Sequence, residues 1–161
     1  HTLYVLDRAE HIAKKEKVSA KNMRLIKVAA LFHDIGFVKS SINHEKVGCG
    51  IASKELKKIG FASKDIDQVC GMIMATKIPQ TPKTHLEQIV ADADLEYLGT
   101  KYYGHFSELL FKEMKSRDRT FNRRKWKKLQ VQFLQNHTYH TAFCQRYKEH
   151  RKANALAKLT A

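Results

Sequence analysis

The chain is short of the residues that interrupt helices: its 161 positions include two prolines and seven glycines. Few stretches alternate apolar with polar side chains, so β-strands have little to build on and an all-α fold is expected. No apolar run approaches the roughly 20 residues of a membrane span, and no secretory signal pattern is visible, so no membrane partner is expected. Cysteine is scarce. Cys49, Cys70 and Cys144 are odd in number and widely spaced; they fit no zinc pattern and suggest reduced thiols in a cytoplasm. The chain opens on His1 without a methionine, which leads us to expect residues upstream. The length suits one domain with a proper core.

Acidic residues are also few, 16 Asp+Glu against 30 Lys+Arg, for a net charge of +14. The imbalance is uneven. Residues 1–100 carry 15 basic against 12 acidic side chains, whereas residues 101–161 carry 15 against 4, an excess of +11. Such an excess attracts polyanions and phosphorylated substrates, or serves solubility.

What is abundant is helical periodicity. It predicts helices over 1–15, 22–34, 44–59, 64–76, 85–115 and 123–159. Asn22 and Ser63 are candidate N-caps, Gly60 a stop, and Gly99 and Gly104 candidate breaks. The last segment reads as one long basic helix or two in sequence. Both prolines fall in "KIPQTPKT", the clearest loop. A core over 1–115 followed by basic helices over 116–161, packed on the same domain, is the expected organisation.

One helix poses a chemical problem. Leu25, Ile26, Val28, Ala29, Ala30, Leu31 and Phe32 are apolar nearly all round, yet they lead directly into His33 and Asp34. An unpaired buried charge costs several kcal/mol at least, so the pair needs a partner. His1 shares a face with Val5 and Ala9 and should point inward. In "LEQIVADADLEYLG" the apolar stripe is Leu86, Val90, Ala93, Tyr97 and Leu98, which contains Asp94. Asp92 shares a side with Gln88 and Glu96 and is expected to be solvated or to support the ligands from outside. Two histidines and two carboxylates aimed into one core suit a divalent metal. Imidazole with carboxylate accepts Mn²⁺, Fe²⁺, Co²⁺, Ni²⁺ or Zn²⁺, with Mg²⁺ also in range, and does not select among them.

The order His1, His33-Asp34, Asp94 resembles the ligand signature of the HD-domain superfamily of metal-dependent phosphohydrolases. "HTLYV", "AALFHDIGF", "NHEKVG", "IMATK", "DADLEYLG" and the later "FLQNHTYHT" extend the resemblance over nearly the whole chain. It implies an all-helical bundle with His1, His33, Asp34 and Asp94 as metal ligands. It also implies hydrolysis of a nucleotide-type phosphomonoester or phosphodiester by a metal-activated water. Two-metal members have a histidine near His44 and a histidine pair where this chain reads Met74-Ala75-Thr76. One metal ion is therefore expected, with His44 and Thr76, alongside Asp34, meeting the phosphate or the attacking water.

Lys39 and Lys77 flank the motif loops and are candidate phosphate clamps. Glu87 and Asp92 are expected to orient ligands or lysines. Two other readings compete. Alarmone (guanosine tetraphosphate) hydrolysis is weakened because "DADLEYLG" lacks the Arg and Asn associated with it. A non-catalytic, metal-stabilised nucleotide or nucleic-acid sensor would use the basic helix for a polyanion. "RRKWKK" (123–128) carries that hint, although Trp126 at helical spacing with Leu129 and Phe133 reads better as core. His137 and His140 form an i, i+3 pair without a nearby carboxylate and read as packing.

Overall fold

The computed structural model describes residues 1–161 as nine α-helices and two short 3₁₀ turns, with no strand. The helices are α1 (Thr2–Lys15), α2 (Ala20–Phe32), α3 (His44–Lys58), α4 (Ser63–Met74), α5 (His85–Leu95), α6 (Tyr103–Arg117), α7 (Arg123–Asn136), α8 (Ala142–Tyr147) and α9 (Glu149–Thr160). The 3₁₀ turns are Ile35–Val38 and Glu96–Gly99. No helix is long and apolar enough to cross a membrane.

Two compact units result. The first comprises His1–Leu95 with the returning segment His140–Phe143; the second comprises Glu96–Tyr139 and Cys144–Ala161. The division therefore falls after Leu95 rather than at residue 115. The reason is aromatic: Phe111 of α6 stacks near Phe121 and Trp126, at ring separations of 6.1 and 6.4 Å, so α6 belongs with α7.

In the first unit each helix turns small or branched side chains to a common core. Val5, Ala9 and Ile12 of α1 meet that requirement, as do Leu25, Ile26, Ala29 and Ala30 of α2, all fully buried. Val69, Met72 and Ile73 of α4 and Ile89, Val90 and Ala93 of α5 complete it. Truncating such a residue to Ala costs about 2–5 kcal/mol where the site cannot collapse. The caps differ from expectation by small shifts. α2 starts after Ser19, whose hydroxyl accepts the Asn22 N–H at 3.2 Å, so Asn22 is the capped residue and not the cap. Ser63 is already helical, with Ala62 preceding it. Gly36 is dictated by close approach: a Cβ there would sit 1.8 Å from the His44 carbonyl oxygen. That contact draws the turn after Asp34 against the start of α3. Asn43, in the left-handed region at φ 50°, makes the corner; Asn tolerates that conformation better than most residues.

Two predicted segments are more broken than periodicity suggested. The segment over 85–115 divides at Glu96–Gly99, because Gly99 lies against the Lys148 carbonyl, where a Cβ would come within 2.6 Å. Gly104, by contrast, sits inside α6. The basic segment over 123–159 is neither one helix nor two but three. Its first break follows Asn136, so His137 and His140 share no helix.

In the second unit Trp126 is buried, and its indole N–H donates to Ser107 Oγ at 3.3 Å. Gln130 Oε1 accepts from the Tyr103 hydroxyl at 2.7 Å and from Ser107. Lys152 is buried as well, held by the His137 carbonyl and by Glu149 at 2.6 Å. Lys148 pairs with Glu96. Part of the basic excess is thus internal structure, while Lys125, Lys127 and Lys128 are exposed.

Candidate metal centre

The buried helix α2 ends where its polar pair begins. Nδ1–H of His33 donates to the Ala30 carbonyl at 2.8 Å, since a carbonyl can only accept. The other nitrogen, Nε2, is therefore the one that takes a proton or gives its lone pair to a metal. It is buried without a hydrogen-bond partner. Asp34 Oδ2 stands 3.2 Å away and Asp94 Oδ1 3.6 Å away. His1 Nε2 closes the group, 2.9 Å from Asp94 Oδ1 and 3.8 Å from Asp34 Oδ2. Ligand atoms of His1, His33 and Asp94 all lie within 4.8 Å of one another.

Lone pairs and anionic oxygens cannot converge in this way without a cation among them. Without a metal, that cation is a proton. Burial opposes charge on His33, but Asp34 and Asp94 outweigh it and raise its pKa to about 9. Burial raises Asp94 to about 6, partly offset by His33. Burial also opposes the Asp34 carboxylate, yet His33 and His44 hold it below the usual carboxylate range. The donor set of two imidazoles and two carboxylates fits a divalent transition ion, and the unpartnered Nε2 is the atom it would satisfy.

His44, the first residue of α3, stands beside this set. Its Nε2 is 3.7 Å from Asp34 Oδ1, so Asp34 reaches the histidine cluster with one oxygen and His44 with the other. The ring stacks on Phe37, centroids 3.8 Å apart and 23° between planes. Glu45 Oε1 lies 3.6 Å from the same Nε2. Neither Phe37 nor Glu45 was singled out in the sequence. Glu45 carried a readable signal, because an acid in the first turn that shares a buried helix start with a candidate histidine needs a partner. Lys77 Nζ donates to Asn43 Oδ1 at 3.1 Å, adjacent to His44. Lys39 is exposed at the end of the 3₁₀ turn that carries Phe37.

Three expected participants are placed elsewhere. The Thr76 hydroxyl donates to the Ile73 carbonyl at 2.8 Å at the end of α4, and the side chain is buried. Glu87 supports a helix start instead of the metal set. Its Oε2 accepts the Lys83 and Thr84 N–H groups at 2.6 and 3.3 Å, while Thr84 Oγ1 accepts the Glu87 N–H at 3.3 Å. That is the reciprocal capping box of T-x-x-E.

Asp92 is the largest correction. Expected to be solvated or to support the ligands from outside, it is 0 % exposed, whereas the Asp94 side chain is 15 % exposed. Asp92 accepts three hydrogen bonds: His140 N–H at 2.9 Å, Thr141 N–H at 2.8 Å and the Thr141 hydroxyl at 2.6 Å. Burial raises its pKa, and the Thr141 and His140 donors pull the other way. Glu16 anchors the same returning segment by accepting the Phe143 N–H at 2.8 Å. These bonds hold His140 and Thr141 in the non-helical stretch that precedes α8.

Comparison with known proteins gives the family. The HD domain family model matches residues 1–96, the stretch that holds all four converging side chains. A solved structure, described as a predicted HD superfamily hydrolase from an uncultured Thermotogales bacterium, is similar to this chain. The two share 22 % sequence identity and a TM-score of 0.62, with 99 % of this chain and 76 % of that one covered. No curated protein matches the sequence. Because the HD domain model matches 96 of its 161 residues, the chain belongs to the HD-domain family.

Proposed function

We propose that the protein is a metal-dependent phosphohydrolase that cleaves a nucleotide-type phosphomonoester or phosphodiester with one divalent ion. Membership of the HD family supports the hydrolase class. The observation that carries the metal dependence is His33 Nε2, buried and unpartnered against two carboxylates and beside His1. His1, His33, Asp34 and Asp94 would hold the ion. When bound, it would supply positive charge toward phosphoryl oxygens and lower the pKa of water.

The chain's own groups do the rest. The Ala30 carbonyl fixes the His33 ring so that Nε2 faces the cluster. Asp34 spans the ligands and His44, and Glu45 with Phe37 holds the His44 ring in place. His44 Nε2 is the atom suited to carry a proton to or from the substrate. Lys77 and Lys39 draw in the phosphate as point charges. The nucleotide reading rests on Phe37, which is 45 % exposed despite its stack on His44. A half-covered aromatic face beside a phosphate site is a shelf for a base.

Phosphate release from a panel of nucleoside mono-, di- and cyclic phosphates, with each candidate metal supplied to the full chain, tests the reading. Turnover of at least one nucleotide is expected, with none after chelation. Phe37→Ala should raise KM for the nucleotide and leave that for glycerol phosphate unchanged. Binding of nucleotides without turnover under every metal would contradict the proposal and favour a sensor.

A further inference from the structure

The first unit holds a second cluster that the hydrolase reading does not use. Cys49 of α3 and Cys70 of α4 face each other where these two helices pack. Cys49 Sγ lies 3.4 Å from the Cys70 carbonyl oxygen, and Cys70 Sγ lies 3.7 Å from the Cys49 carbonyl oxygen. Each thiol thus reaches the other residue's backbone carbonyl across the contact of α3 and α4. Ser53, one turn beyond Cys49, brings its hydroxyl to 3.3 Å from Cys70 Sγ. Both thiols are partly exposed, whereas Cys144 is buried in the second unit.

From this geometry we infer that Cys49 and Cys70 form a peroxide-responsive disulfide site that fastens α3 to α4. The two sulfurs are not equivalent. The neighbouring Cys49 thiol and the Ser53 hydroxyl outweigh burial and the nearby Asp67 and lower the Cys70 pKa to about 6. The Cys49 thiol is raised by the same contact and by burial. Cys70, whose sulfur has the Ser53 hydroxyl 3.3 Å away, is therefore the nucleophile and Cys49 the resolving thiol. In the first step the Cys70 thiolate attacks one oxygen of hydrogen peroxide. The O–O bond breaks, hydroxide leaves and a sulfenic acid forms on Cys70. In the second step Cys49 sulfur attacks Cys70 sulfur, the S–O bond breaks, and the departing hydroxide takes the Cys49 proton as water. Two thiols and one peroxide become one disulfide and two waters.

The bond would join α3, which begins with His44, to α4, which runs to Met74 just before Lys77. It would close the stretch of chain from residue 49 to residue 70, fixing the contact at which the two thiols meet.

The test treats the full reduced chain with one equivalent of hydrogen peroxide, then blocks free thiols under denaturing conditions and reads the mass. The expected product has lost two hydrogens, keeps one alkylatable thiol at Cys144, and gives a Cys49–Cys70 crosslinked peptide that dithiothreitol reverses. Cys49→Ser should stop at a sulfenic acid on Cys70 that dimedone traps. Cys70→Ser should leave Cys49 unmodified under the same dose. The oxidised wild-type chain should melt at least about 4 °C above the reduced one, as expected for a crosslink that fits native packing. A stable Cys70 sulfenic acid in the wild type, a crosslink through Cys144, or a lowered Tm on oxidation would each overturn the inference.

Discussion

Two faces of α5, two residues apart, carry buried or nearly buried carboxylates with opposite surroundings. Asp92 is enclosed by hydrogen-bond donors: two backbone N–H groups and the Thr141 hydroxyl. Asp94 instead faces two imidazole nitrogens, His1 Nε2 at 2.9 Å and His33 Nε2 at 3.6 Å, together with the carboxylate of Asp34. The first carboxylate is complete as it stands and ties down a returning segment. The second is incomplete without a cation. Burial alone does not distinguish a structural carboxylate from a ligand; what its oxygens face does.

Substitutions on each face sharpen the contrast. The largest effect is expected for Asp94→Ala, which should weaken metal binding by more than about a hundredfold, because loss of a group that merely supports a ligand already costs 10–100-fold. Hydrolysis should disappear with it, while the metal-free fold persists. Equilibrium dialysis with metal analysis, alongside circular dichroism, reads both. Asp92→Ala should do the reverse. Three donors lose their buried acceptor, so urea unfolding should report a loss of about 3 kcal/mol or more, with metal content retained. If metal followed Asp92 and ignored Asp94, the assignment of faces would be wrong.

A smaller effect belongs to the start of the same helix. Thr84→Ala removes one half of the capping box with Glu87 and should cost about 1 kcal/mol, with no change in metal affinity. A drop in metal affinity there would return Glu87 to the ligand system. Smallest of all should be neutralisation of the exposed Lys125, Lys127 and Lys128. Solvated charges act through a field screened over roughly 8 Å, so turnover of a small nucleotide should change by less than about threefold. A loss of a hundredfold, with metal retained, would bring the basic helix into the chemistry.

Much of this was readable in the chain itself. The helical segments follow from 3.6-residue periodicity, and His33-Asp34 at the end of an apolar helix signals a buried site wherever it occurs. Placing His1 and Asp94 beside them needs only the faces of α1 and α5. The rest depends on partners distant in sequence. Asp92 looks solvated from its helix neighbours alone, because the donors that bury it come from His140 and Thr141, 48 and 49 residues away. Thr76 has the right chemistry for a phosphate contact, yet a helix C-terminus offers its hydroxyl a nearer acceptor in Ile73. Glu87 was misread for a local reason, since T-x-x-E before an apolar run is a capping signature visible in the sequence. The stack of Phe37 on His44 is set by the backbone contact at Gly36, which no periodicity encodes.

The central claim is that His1, His33, Asp34 and Asp94 together hold a single divalent ion. Native mass spectrometry of the full chain, loaded with Mn²⁺, Fe²⁺, Co²⁺, Ni²⁺ or Zn²⁺ in turn, counts that ion directly. The account predicts one ion per chain for the metals that bind, and none in Asp94→Ala at the same concentrations. Two protein-held ions in the wild type, or an undiminished single ion in the variant, would contradict it.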